Sequence, residues 1–185
     1  MPRTILSTAD LRRPVVASAG VRAFARGGYH GTTIADVARE ASISPAYVIK
    51  LFPTKDRLFA AALDACFDQV VDALEAGAAA AADRSPEGVL DAMGGAYAAL
   101  IADRTLLLLQ VHAQSVAELP EIGEAFRRGL ERVVTLARER SGADDAAVQR
   151  FVAYGQLCHL LVAGGMVDLA EPWAQLLNAG IRHPD

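Results

Sequence analysis

Two helix-start signals stand eleven residues apart, at Thr33 and Ser44, and no other feature restricts the folding of this chain as much. Thr33 is followed three residues later by Asp36, which is the pattern of a capping box: the hydroxyl satisfies an early helical N–H and the carboxylate reaches back to the cap. Ser44 precedes Pro45, a good N-cap followed by a residue whose missing N–H costs nothing at the first helical position. The helix that starts at about Ile34 therefore has to end at about Ala41, and Ser42-Ile43 leave room for a tight turn alone. A second short helix then runs over Pro45–Leu51. Two short helices joined by such a turn make a helix-turn-helix. Val37, Ala38, Ala41, Ile43, Val48 and Leu51 are the positions two steeply crossing helices must bury, and Ala38 has to be small where they approach.

The rest of the chain is helical by pattern. Period-2 alternation and Asn-Gly or Asp-Gly turns are missing, alanine and leucine dominate, and Pro and Gly fall mostly between periodic segments. A helix is expected over about Asp10–Arg26, with Pro14 making its start irregular or late and Gly27-Gly28 ending it. Others are expected at about Lys55–Ala82, Glu87–Asp103, Thr105–Glu118, Pro120–Arg140, Asp144–Val162 and Pro172–Ala179, the fourth of the chain being the longest. The fold class is all-α with about nine helices. Residues 1–56 are expected to form an N-terminal three-helix helix-turn-helix domain, and residues 57–185 a second helical domain.

Charge distribution sharpens this division. The chain carries a net charge of −4, which by itself argues against a nucleic-acid partner. Residues 1–60, however, hold nine Lys+Arg against four Asp+Glu, whereas residues 61–185 hold nine against eighteen. A basic head on an acidic body can sit on phosphates while the body stays off them. If Val48, Leu51 and Phe52 are the inner side of the second short helix, Ala46 and Lys50 point outward and Tyr47 and Ile49 flank them. In a helix-turn-helix the early residues of this helix, here Ser44, Pro45 and Ala46 onward, meet base edges in the major groove. Lys50 can neutralise a phosphate or donate to guanine, and Tyr47 can bond to phosphate or pack on a thymine methyl. Lys55, Thr32 and Thr33 stand at helix starts, where cations and free N–H groups meet phosphates. The plain alternative is a structural helical hairpin with solvated charges.

These residues resemble the TetR (tetracycline-repressor) family of transcriptional regulators. The resemblance runs through Phe24, Gly28-Tyr29, Thr32-Thr33-Ile34, Val37-Ala38, Ala41, Ser44, Phe52-Pro53-Thr54-Lys55-Asp56 and Leu58, and it covers roughly residues 11–63. The chain departs from the family pattern at three places. Ser42 stands where the family usually has Gly in the turn, a left-handed position that costs a non-glycine roughly 1 kcal/mol. Ile49 replaces a common phosphate-contacting Tyr, and Leu51 stands where a polar residue is frequent.

The resemblance implies a homodimer that binds a palindromic operator in double-stranded DNA, built through two C-terminal helices, here about Asp144–Val162 and Pro172–Ala179. Phe151, Leu157, Leu161, Trp173 and Leu177 are the candidates for that interface, and they would serve an intrachain core equally well. It also implies a small-molecule inducer pocket among the middle helices. Met93, Tyr97, His112, Gln114, Phe126, Tyr154, Cys158 and His159 could supply apolar walls and polar handles, or plain core. The ligand would shift the population toward a dimer geometry that no longer matches successive major grooves, with the helix from Lys55 as the lever. The expected function is thus a ligand-released repressor; the alternative is a ligand-insensitive regulatory or architectural DNA-binding dimer.

An enzyme is disfavoured, since there is no phosphate loop, HExxH or G-x-S-x-G. No cofactor is expected, and Cys158-His159 is too sparse for a metal site. Cys66 and Cys158, 92 residues apart, do not suggest a disulfide. The first residues, with Arg3, Asp10, Arg12 and Arg13, lack the apolar stretch of a signal peptide, and Phe151–Val167 is broken by Gln156 and His159. The expectation is a cytoplasmic chain with no membrane partner.

Overall fold

Helix boundaries in the computed structural model fall where the capping residues stand. The structure describes residues 8–181; Arg3 and residues 182–185 lie outside the described part. The helices are α1 (Thr8–Gly31), α2 (Ile34–Glu40), α3 (Pro45–Leu51), α4 (Lys55–Ala80), α5 (Pro86–Leu100), α6 (Thr105–Gln114), α7 (Pro120–Ser141), α8 (Asp145–Ala163) and α9 (Pro172–Asn178). There is no strand among the described residues, so the architecture is all-α. Three boundaries differ from the sequence-based ones. Helix α1 begins ahead of Pro14, which sits inside it, and breaks at Gly28, where φ is 65° and the chain kinks into a last short turn ending at Gly31. Helices α5 and α6 end at Leu100 and Gln114, earlier than Asp103 and Glu118. Arg104, at φ 64, makes the corner between α5 and α6, and its guanidinium donates to the Val162 carbonyl at 2.6 Å.

The chain divides into two compact units. One runs through residue 66 and includes Leu109–Arg127; the other comprises Phe67–Leu108 and the chain from Arg128 onward. A boundary at residue 56 therefore does not follow the packing, because the start of α4 is bound to the N-terminal helices. Phe24 and Phe59 meet edge-to-face with centroids 4.7 Å apart, and Leu58, Ala62 and Leu63 are fully buried. Gly28 is also fixed within this unit. Its φ of 65° suits glycine, and a Cβ there would lie 3.1 Å from His112 Nδ1. In the second unit, Leu74, Met93, Ile101, Leu107 and Leu161 form the fully buried core. There α4 and α5 approach so closely at Gly77 that a Cβ would come within 2.8 Å of the Ala92 carbonyl oxygen. No single helix among the described residues is long and apolar enough to cross a membrane.

The turn between α2 and α3 closes as a Schellman motif. The Ile43 N–H donates to the Ala38 carbonyl at 3.0 Å, and the Ser42 N–H donates to the Arg39 carbonyl at 3.2 Å. This arrangement puts Ser42 at φ 54°, the left-handed region, where a Cβ is penalised. Ser42→Gly should therefore raise stability by about 0.5–1 kcal/mol, the relief of the left-handed Cβ being partly offset by glycine's greater unfolded-state entropy. Urea unfolding of both proteins measures the difference, and a variant no more stable than the parent would show that the turn carries no strain.

Candidate nucleic-acid interface

Local chemistry sets the start of both short helices. The Thr33 hydroxyl accepts the Asp36 N–H at 3.2 Å, and the Thr33 N–H donates back to the Asp36 carboxylate at 2.9 Å, so the capping box is complete. These bonds, the Thr33 side chain first, and Arg39 hold the Asp36 carboxyl down to about 2. Ser44 Oγ accepts the Tyr47 N–H at 3.2 Å, and Pro45 follows at the first position of α3. With Val48 and Leu51 buried against the first unit's core, the rotation of α3 is fixed. Pro45, Ala46, Ile49 and Lys50 are exposed, and Tyr47 is half-buried.

Side-chain pairing decides which of the head's cations can meet an external anion. Arg22 and Arg26 both bond to the Glu40 carboxylate, at 2.7 and 2.5 Å, and the Arg22 bond foremost holds that carboxyl below its ordinary value. Arg39 pairs with Asp36 at 2.9 Å and Arg57 with Glu121 at 3.1 Å. The Arg13 guanidinium lies 5.2 Å from the centroid of the Phe52 ring, and the Lys55 ammonium lies 4.5 Å over Tyr29. The Tyr29 hydroxyl bonds to Asp56, and burial foremost, then that bond, pushes the phenol up to about 12. Lys50 makes no hydrogen bond or ion pair with any described residue. Its charge is fully available at the exposed face of α3. A cleft of about 510 Å³ between α1 and α2 is lined by Arg26, Arg39, Asp36 and Glu40, but the two carboxylates neutralise both arginines, so it offers no net cation to an anion.

The expected contact residues do not all face outward. Thr32 is 2% exposed, and its hydroxyl donates to the Ala23 carbonyl at 3.2 Å. Its side chain serves the packing of α1 and is not presented to a phosphate. Thr33 caps α2, Ser44, Pro45, Ala46 and Lys50 lie at the start and on the exposed side of α3 with Tyr47 half-buried, and Lys55 begins α4 beside Tyr29. Ile49, which the sequence placed only at the flank, is 48% exposed. Its helical position relative to Val48 and Leu51 was the available signal.

Two sets of body residues are also corrected. Among the pocket candidates, Tyr97 and His159 come together, with the phenol oxygen 2.5 Å from Nε2, and Met93 and Cys158 are buried in the same unit. His112, Gln114 and Phe126 belong to the other unit, and Gln114 is exposed. Tyr154 is exposed on α8 and walls no interior space. Among the interface candidates, Leu161 is fully buried within its own protomer, so it has no surface to offer a partner. Phe151, Leu157 and Leu177 are half-buried, and Trp173 is exposed. Leu160 and Leu176 were missed, although Leu176 is 74% exposed and, with Trp173, Tyr154 and Leu160, makes α8 and α9 carry half of the large exposed apolar side chains among the described residues. Both cysteines are free, and burial raises their thiols, Cys66 to about 12, which leaves them protonated and poorly reactive.

Two short capped helices joined by a tight turn, with the rotation of the second fixed, form a helix-turn-helix. Residues 16–62 match the family described as bacterial regulatory proteins, tetR family. No curated protein matches the chain in sequence. Solved structures resemble it over nearly its whole length. A TetR-like transcriptional regulator of Rhodococcus sp. RHA1 is 22% identical, with 97% of this chain and 94% of that one covered and a TM-score of 0.63. The transcriptional regulator FadR of Bacillus subtilis, in complex with stearoyl-CoA, is 16% identical over 91% and 98%, with a TM-score of 0.67. The multidrug binding protein EbrR, complexed with imidazole, is 21% identical over 94% and 97%, with a TM-score of 0.66.

The second unit yields a pH test. His159 is 4% exposed, its Nδ1 has no hydrogen-bond partner, and burial pushes the imidazole down from 6.5 to about 4. A folded-state value below the unfolded one means the fold favours the neutral ring. Its stabilising contribution is complete above about pH 6.5 and is lost as pH falls toward 4. His159→Gln should flatten the loss of stability between pH 7 and 4 by roughly 3 kcal/mol relative to the parent. Urea unfolding at both pH values reads this directly, and parallel pH profiles for the two proteins would contradict the burial of a neutral histidine.

Proposed function

We propose that the chain is a homodimeric repressor that holds a palindromic DNA operator through α3 and releases it when a small molecule binds the second unit. The observation that carries the DNA-binding part is Lys50 on the exposed face of α3, which makes no hydrogen bond or ion pair with a described residue, in a domain where Arg22, Arg26, Arg39 and Arg57 are bonded to carboxylates and Arg13 and Lys55 are stacked on rings. In this reading Lys50 meets a guanine edge or a phosphate, and Tyr47 lies beside it at the groove wall. Thr33, Ser44, Pro45 and Ala46 bring backbone and short side chains close to the duplex, with Lys55 on a phosphate. One such module reads only a few base pairs, whereas two of them related by a two-fold axis read a palindrome.

Dimerisation is supported by the exposed Tyr154, Leu160, Trp173 and Leu176, an apolar set that suits burial against a second copy. Ligand response is supported by the similar proteins FadR, solved with stearoyl-CoA, and EbrR, solved with imidazole and with proflavin. Within this chain the Tyr97–His159 pair offers a polar handle beside the buried Met93 and Cys158. Release requires only that the ligand bind one dimer geometry better than the other. The role is regulatory rather than enzymatic.

The test is an anisotropy titration on the palindrome recovered by in vitro selection with the purified full chain, at several salt concentrations. Two protomers should bind per palindrome. Lys50→Ala should weaken binding and either lower the salt slope by about 1 or relax one base position at a cost of about 1–3 kcal/mol. Unchanged affinity and slope would remove Lys50, and with it α3, from the interface.

A further inference from the structure

The exposed face of α3 is mostly apolar, and that composition restricts which feature of DNA it can read. At about 3.6 residues per turn, Pro45, Ile49, Ala46 and Lys50 follow one another around the helix. All four are exposed, while Val48 and Leu51 are buried behind them. Ile49 and Ala46 therefore stand at the centre of the outward arc, Lys50 at one side and Pro45 at the other. Lys50 is the sole member of this arc with a side-chain hydrogen-bond donor. Ile49 is a large β-branched side chain that is 48% exposed.

We propose that Ile49, with Ala46 beside it, is a specificity-determining contact that packs on the C5-methyl group of a thymine in the operator half-site. The inference rests on the DNA-binding reading above. The major-groove edge presents donors, acceptors and a single apolar group, the thymine methyl. An aliphatic side chain facing a phosphate gains no hydrogen bond and hinders the phosphate's hydration, and facing a guanine, cytosine or adenine edge it would leave polar atoms uncovered. Facing a thymine methyl, it removes apolar surface on both partners from water. Lys50, next along the arc, is then placed for the neighbouring base pair or its phosphate. The half-site is accordingly expected to carry a thymine whose methyl is recognised rather than its hydrogen-bonding edge.

Deoxyuridine in place of thymine removes that methyl and nothing else. The experiment uses the full chain and the palindrome enriched by in vitro selection, with each thymine of the half-site replaced in turn, symmetrically in both half-sites. For the parent protein, one thymine position should lose about fourfold in affinity per methyl, the equivalent of about 0.8 kcal/mol for one buried carbon group. For Ile49→Ala the parent operator should bind more weakly, and the same deoxyuridine substitution should have no further effect. Ile49→Val, which keeps a branched surface, should retain part of the sensitivity. Since Ile49 is exposed, helicity and melting temperature of the variants confirm that they fold. Methyl removal without effect at every position overturns the proposal, as does a deoxyuridine loss that persists undiminished in Ile49→Ala. Failure of the selection to enrich any sequence would instead overturn the DNA-binding reading on which it stands.

Discussion

The turn at Ser42 and the two caps beside it fix how α3 is rotated, and the recognition surface depends on that rotation. Three local interactions share the task. The Thr33–Asp36 box starts α2, the Schellman bonds from Ser42 and Ile43 end it, and Ser44 with Pro45 starts α3. Between them the backbone has little freedom, so Val48 and Leu51 can enter the core only if Ala46, Ile49 and Lys50 leave it. A positive φ at a serine is the cost of this short connection, and it is borne at the place where a longer turn would let α3 roll about its axis.

Electrostatics then selects within the surface that the backbone presents. The head is basic as a whole, but its arginines are largely occupied in fastening helices to one another. Glu40 draws in Arg22 and Arg26 from α1, and Glu121 takes Arg57. Such exposed pairs contribute little to stability individually. Their larger consequence is that Arg22, Arg26, Arg39 and Arg57 are engaged with carboxylates while Lys50 on α3 is not. The apolar centre of the same helix adds a requirement of a different kind, because methyl recognition depends on shape and dehydration rather than on charge.

Much of this was legible in the sequence because it is local. Caps, the Pro at the first helical position and the serine in a glycine position are decided by neighbours within a few residues, and each was found where the residue types indicate. What failed depended on partners distant in sequence. Thr32 looks like a free hydroxyl at a helix start, but Gly27 lacks the Cβ that would collide with it, and the Ala23 carbonyl accepts its bond. Leu161 and Leu160 are adjacent and chemically identical, and only the packing of α8 against its own unit shows that the first is buried and the second exposed. The charge count along the chain separated head from body, yet it could not tell the paired arginines from the unpaired lysine.

Hydrogen exchange of the full chain, measured by mass spectrometry with and without its selected DNA, tests the central claim most directly. If the α3 face is the DNA-binding surface, amides of α3 and of the turns that begin α2 and α4 should be slowed by DNA, with the fastest-exchanging N-terminal amides of α3 most affected. Slowing confined to the second unit, with α3 exchanging as it does in the free protein, would contradict the account.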